Sequence, residues 1–211
     1  MPNYNTEQES FWAGEFGSSY ISRNMDGKQA IANRVCFWRN ILQETTRPAS
    51  SVLELGANVG INLDALNILL PKSRLSAVEI NADAVNVLRT KKHIDVFHGS
   101  ILDFTPERQW EFVFTSGVLI HLNPDVLPSV YALMAKSSSR YVCIAEYYSP
   151  SPVEITYRGH SGKLFKRDFA GEFMRAFPEF YLRKYGFAYH GDPLFPADDI
   201  NWFLLERKQP I

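Results

Sequence analysis

The chain has 211 residues, enough for one sizeable α/β core and too few for a second full domain beside it. Hydrophobic residues make up 45% and charged residues 21%, which is ordinary globular usage and excludes a disordered or fibrous chain. A formal charge of −1 offers no net attraction to polyanions, so nucleic acid is not expected as a main partner.

The opening MPNYNTEQES has neither the basic stretch nor the apolar run of a secretory leader, and no later run approaches a membrane span. A cytoplasmic protein with no membrane partner is therefore expected. The stretch QESFWAGEFGSSYISRN (8–24) is aromatic and carries glycines, and GKQAIANRVCFWRNILQET (27–45) is a strongly amphipathic helix. From residue 51 onward apolar runs alternate with helix-period segments, the mark of βαβ units on a parallel sheet. SVLEL (51–55) reads as the first strand and GINLDALNILL (60–70) as the helix after it, stopped by Pro71. RLSAVEI (74–80) is the second strand, ADAVNVLRT (82–90) a helix, HIDVFHG (93–99) a short strand, and ILDFTPER part of a loop. WEFVFTSG (110–117) is strand four, a helix runs from near Pro124 to about Lys136, and RYVCIAEYY (140–148) is strand five.

SPSPVEITYRGHSGKLFKRD (149–168) mixes prolines and glycines with aromatic and charged residues, and a loop this long in a compact domain is commonly functional. RDFAGEFMRAF (167–177) then makes an amphipathic helix, and YLRKYGFAYH and INWFLLER make two final strands that pair as a hairpin at the sheet edge. The expected architecture is a Rossmann-like three-layer α/β/α sandwich with a seven-stranded, mostly parallel sheet and an antiparallel C-terminal hairpin strand. Residues 1–46 form a helical cap and 47–211 the main domain. Cys36 and Cys143 lack CxxC or Cys/His spacing, so both are expected as reduced core thiols and no metal site is expected.

VLELGANVGINL (52–63) is the stretch most informative about function. A strand ending in an acid, then Gly56 and Gly60 at the mouth of a helix, lets a ligand approach the backbone and the free N–H groups of the helix start. A dinucleotide loop would carry glycines at 56, 58 and 61, where this chain has Gly56, Asn58 and Ile61. An NAD-dependent oxidoreductase is thus the alternative reading, with a non-catalytic cofactor-binding module as another. Asn tolerates a left-handed backbone and its amide can donate to a ligand, so Asn58 does not mark a decayed loop.

The pattern E-x-G-x-x-x-G resembles motif I of class I S-adenosylmethionine-dependent methyltransferases. By that resemblance Glu54 sits near the methionine ammonium, and Gly56, Ala57, Asn58, Gly60 and Asn62 shape the cofactor loop. Glu79 at the end of strand two, with Ile80 after it, meets the ribose, whose vicinal hydroxyls a carboxylate accepts together. HGSILDF falls at the adenine segment, where Ser100 replaces a frequent Asp and either its hydroxyl or the backbone of Ile101 meets the adenine edge. Ser116 after strand four, and Tyr20 and Arg23 from an N-terminal lid that also includes Trp12 and Phe16, complete the expected S-adenosylmethionine site.

Longer stretches are similar to a narrower group, the methyltransferases associated with pseudaminic acid biosynthesis. They are FWAGEFG and YISRN (within 11–24), LELGANVGIN, SGVLIHLNPD, AEYYSPSPVEITYRGHSGKLFKRDFAGE (145–172), YGFAYH and DDINWFLLE. The resemblance implies methyl transfer to oxygen or nitrogen of a small, sugar-derived acceptor.

Methyl transfer needs alignment and exclusion of water, and a base where the acceptor carries a proton. His121 follows strand four at the carboxyl edge of the sheet and is a candidate base. Glu146 and Tyr148 share one face at the end of strand five. Glu146 is expected either as a buried base or as the partner of a loop cation such as Arg158. From the long loop, His160 is a further catalytic candidate, and Tyr157, Arg158 and Lys163 suit an anionic sugar or sugar phosphate.

Overall fold

A computed structural model describes residues 4–24 and 27–208, with side chains for 4–21 and 29–208; the side chain of Arg23 therefore lies outside the described residues. The N-terminal stretch forms α1 (Glu7–Ala13), α2 (Glu15–Asn24) and α3 (Gly27–Leu42). Thr6 and Glu9 close a reciprocal capping box that starts α1: the Thr6 hydroxyl accepts from the Glu9 N–H, and the Glu9 carboxylate accepts from the Thr6 N–H.

The sheet comprises β1 (Ser51–Leu55), β2 (Arg74–Glu79), β3 (Ile94–His98), β4 (Trp110–Ser116), β5 (Ser138–Glu146), β8 (Phe180–Ala188) and β9 (Ile200–Arg207). It is interleaved with α4 (Ile61–Leu69), α5 (Ala82–Arg89), α6 (Leu127–Ser137) and α7 (Phe169–Ala176). The strand order is β3-β2-β1-β4-β5-β9-β8, parallel except that β9 pairs antiparallel with both neighbours. The central strands are apolar along their length because helices cover both faces. On one face Trp38 and Ile41 of α3 and Leu63 and Leu66 of α4 pack with Phe112 and Phe114. On the other, Tyr131 and Met134 of α6 and Phe173 of α7 pack with Leu53, Val113 and Val142. The fully buried Trp38, 4.4 Å from the Phe114 ring, makes α3 part of this core.

The long loop after β5 is not wholly irregular. Val153–Glu154 (β6) and Phe165–Lys166 (β7) pair antiparallel across it. β5 ends at Glu146, two residues sooner than the apolar run suggested, so Tyr147 and Tyr148 leave the sheet. Among the described residues no helix is long and apolar enough to cross a membrane, and no cluster of His, Cys, Asp or Glu could hold a metal ion.

The chain from β1 runs to β2 on one side while β4 lies on the other, so the sheet order reverses between β1 and β4. In open α/β sheets the crevice beyond the carboxyl ends of such strands is where ligands bind.

Candidate active site

The β1–α4 turn is built on three left-handed residues, Gly56 (φ 77°), Asn58 (φ 48°) and Gly60 (φ 79°). Asn is among the few residues with a side chain that enter this region readily, which is why a glycine is dispensable at 58. A Cβ on Gly56 would lie 2.7 Å from Cγ2 of Val118, so the loop after β4 closes against it. Gly60 does a different job: it caps α4, and a Cβ there would lie 2.6 Å from Cδ2 of Leu88 in α5, away from the cavity described below.

Glu79 ties this turn to the end of β2. Its two carboxylate oxygens accept from the N–H of Asn58 and of Asn81, each at 2.7 Å. Burial raises its pKa, opposed by those same N–H groups. Glu54 is held from one side only. Asn62 donates to its Oε1 at 2.7 Å, and the other oxygen, Oε2, is buried without a hydrogen-bond partner. Burial pushes its pKa up to about 8, with the Asn62 bond working the other way.

These groups open into a cavity of about 240 Å³ beyond the carboxyl ends of β1, β2 and β4. Of the expected residues, the cavity lining includes Tyr20, Glu54, Gly56, Ala57, Asn58, Asn62, Glu79, Ile80, Ser100, Ile101, Ser116, His121 and Tyr157. It also includes Gln8, Glu9, Trp12, Arg34, Tyr147 and Asp198, to which the sequence reading gave no such place, apart from Trp12 as a lid residue. Four buried polar atoms without a partner belong to these lining residues: Gln8 Oε1, Trp12 Nε1, Glu54 Oε2 and Asn58 Oδ1. Buried polar atoms are ordinarily paired, so such a concentration in one cavity marks a place where a polar ligand completes the bonding.

At one end of the cavity Ser100 is buried and its hydroxyl donates to Glu9 of α1, while its oxygen accepts from the Leu102 N–H at 3.0 Å. At another, His121 sits in a turn that follows β4, with its ring 4.7 Å from that of Trp12 and 4.9 Å from that of Tyr157. Its Nδ1 lies 2.6 Å from the carbonyl oxygen of Lys163, which can only accept, so the proton is on Nδ1 and the lone pair on Nε2. Burial lowers its pKa to about 4, which keeps the ring neutral.

Glu146 does not line the cavity. Its Oε1 accepts from the N–H groups of Val118 and Leu119 at 3.1 Å each, and Oε2 from that of Ile120 at 3.4 Å. The carboxylate thus anchors the turn that bears His121, and burial raises its pKa to about 7. No Arg158 contact is involved: that guanidinium lies over the Tyr157 ring.

Three other expected residues also stand off the cavity lining. Tyr148 is 42% exposed and lies against Phe203, with ring centroids 5.9 Å apart. His160 packs edge-on to Phe11 and Phe16. Lys163 pairs with Glu7 at 3.4 Å, and its contribution to the site is its carbonyl.

The fold is that of class I S-adenosylmethionine-dependent methyltransferases, as solved structures show. One is 1,6-didemethyltoxoflavin-N1-methyltransferase of Burkholderia thailandensis with 1,6-didemethyltoxoflavin and S-adenosylhomocysteine bound, 14% identical, covering 99% of this chain and 92% of that one with a TM-score of 0.72. The magnesium protoporphyrin IX methyltransferase of Synechocystis PCC 6803, with S-adenosylmethionine bound, is 11% identical over 98% of this chain and 100% of its own, TM-score 0.69. The plantazolicin methyltransferase BpumL with S-adenosylhomocysteine is 10% identical over 96% and 94%, TM-score 0.67. No protein-family model and no curated protein matches the sequence.

Proposed function

We propose that the protein is an S-adenosylmethionine-dependent methyltransferase acting on oxygen or nitrogen of a small acceptor. The observation that carries this reading is the lone oxygen of Glu54: a buried carboxyl at the cavity wall, paired on one side and without a partner on the other, suits an ammonium group. Glu79 holds the ribose by the lone pairs its two backbone bonds leave free, and the Ser100–Ile101 turn receives the adenine. Bound S-adenosylmethionine supplies a methyl group on a positively charged sulfur, already activated for in-line displacement.

The remaining work falls to this chain. Trp12 and Tyr157 wall the acceptor side and exclude water, and the cavity between them orients the acceptor toward the methyl group. His121, neutral and with its lone pair on Nε2, takes the acceptor's proton as the new bond to the methyl carbon forms. Glu146 and the Lys163 carbonyl fix where that imidazole stands.

A sugar-derived acceptor of the pseudaminic acid pathway is the finer form of the proposal, and its support is the sequence resemblance over residues 11–24 and 145–172. The expected anion-binding role of Arg158 and Lys163 receives no support from their positions outside the cavity lining. Calorimetry with S-adenosylhomocysteine and NADH tests the cofactor: binding of NADH alone returns the oxidoreductase. Release of S-adenosylhomocysteine from S-adenosylmethionine in the presence of nonulosonic acids and their precursors tests the acceptor. Cofactor binding without turnover on any of them leaves the binding module or a different acceptor.

A further inference from the structure

We infer that Glu9, carried on the N-terminal helix α1, is the acceptor for the 6-amino group of the cofactor's adenine, in the place that a side chain after β3 would otherwise fill. The inference rests on the cofactor reading above and adds to it a residue from outside the main sheet. Adenine presents a donor pair at N6 beside an acceptor at N1, so its site needs an acceptor next to a donor. Of the residues of the turn after β3 that line the cavity, Gly99, Ser100, Ile101 and Leu102, only Ser100 has a polar side chain, and its hydroxyl is already committed. Ser100 gives its proton to Glu9 and takes one from the Leu102 N–H.

The missing acceptor arrives with α1. Glu9 is 5% exposed, lines the cavity together with Ser100, Ile101 and Leu102, and is 91 residues from Ser100 in the chain. A carboxylate has about four acceptor positions, two on each oxygen. Oε2 uses its positions on the N–H groups of Asn5 and Thr6, at 2.7 and 2.8 Å, with the Thr6 hydroxyl further off at 3.3 Å. Oε1 takes a single bond among the described residues, from Ser100, and so keeps one acceptor position beside the adenine segment. Across the turn, the Ile101 N–H has no partner among the described residues and is the donor for N1.

The geometry also fixes what Glu9→Gln would do. Glutamine satisfies the capping box, and the Asn5 and Thr6 N–H groups would hold its oxygen at the Oε2 position. The amide NH₂ would then stand where Oε1 stood, turning an acceptor for the 6-amino group into a donor.

Calorimetric titration with S-adenosylhomocysteine and with S-inosylhomocysteine, which carries a 6-oxo group in place of the amine, tests this. The wild-type protein is expected to prefer the adenosyl compound by about tenfold or more, the scale of one hydrogen bond to a charged group. The inosyl compound also carries a proton on N1, which meets the Ile101 N–H in every variant, so Glu9→Gln is expected to shrink the preference by severalfold without abolishing it, and Ser100→Ala to keep it whole. Tight binding of both compounds by the wild type, or a preference that Glu9→Gln leaves undiminished, overturns the assignment and leaves Glu9 as a cap for α1. Loss of preference in Ser100→Ala with retention in Glu9→Gln overturns it too. Failure of the wild type to bind S-adenosylhomocysteine at all overturns the cofactor reading, and is distinguishable from these because neither compound then binds.

Discussion

Asn62 donates to Glu54 and not the reverse, because the indole N–H of Trp38 donates to the Asn62 carbonyl oxygen at 3.0 Å and so fixes which way the amide faces. The buried Trp38 thereby fixes Asn62 as the donor to one oxygen of Glu54, while the other oxygen has no partner among the described residues.

Cofactor binding should therefore be linked to proton release. With an ordinary value of 4.5 and a folded value of about 8, Glu54 stays protonated in the fold across that interval while an unfolded chain would ionise. Its contribution to stability is full below about 4.5 and is lost as the pH rises toward 8. An entering ammonium favours the carboxylate, so affinity for S-adenosylhomocysteine should rise between about pH 5 and 8, by up to about tenfold per pH unit for one proton released. Calorimetry in buffers of different ionisation enthalpy counts the proton. A flat affinity with no proton released would rule this out, and Glu54→Gln should give that flat profile.

Replacing His121 by Ala should lower turnover by about 10²- to 10⁴-fold, the usual contribution of a positioned base, while leaving S-adenosylhomocysteine affinity largely intact. Because burial holds the ring at a pKa of about 4, its protonation should not produce a fall in kcat near pH 6.5. A variant with wild-type turnover removes His121 from the chemistry.

Glu146→Ala should cost about 1–3 kcal/mol of stability in denaturant unfolding, because the N–H groups of Val118, Leu119 and Ile120 lose their acceptor in a buried turn. It should also lower kcat more than it changes cofactor affinity, since that turn carries His121. Unchanged stability and turnover would show that the turn holds itself.

Asn58→Gly should leave stability nearly unchanged, whereas Asn58→Val should lose roughly 1–2 kcal/mol, the penalty for a branched side chain at φ 48°. Glu79→Ala should weaken cofactor binding by about 1–3 kcal/mol. Equal stability of the Gly and Val variants, read from unfolding midpoints, would contradict the left-handed assignment.

The sheet and the β1–α4 turn were legible because their signals are local. The apolar run of SVLEL, the helix period of residues 60–70 and the tolerance of Asn58 for positive φ can each be read within a few neighbours. The strand end at Glu146 was less so, since apolar Tyr147 and Tyr148 extend the run beyond the point where the backbone leaves the sheet. Roles set by distant partners were not legible. The Nδ1 tautomer of His121 depends on a carbonyl 42 residues on, and Glu9 meets Ser100 from 91 residues away in the chain. The T-x-x-E pattern at Thr6 to Glu9, which the reading of the N-terminal stretch did not use, marks the start of α1 and says nothing about what else the carboxylate touches. The cations of the long loop show the converse, since residue type suggested ligand binding while Lys163 pairs with Glu7 and Arg158 lies over the Tyr157 ring.

α1 is stitched to that loop at several points: Gln8 donates to the Gly162 carbonyl at 2.8 Å, Glu7 pairs with Lys163, and Phe11 meets His160. The same short helix is also stitched to Ser100 in the turn after β3. One short helix thus fastens two parts of the cavity wall that are far apart in the chain, so a change that loosens α1 at the loop is felt at Ser100 as well.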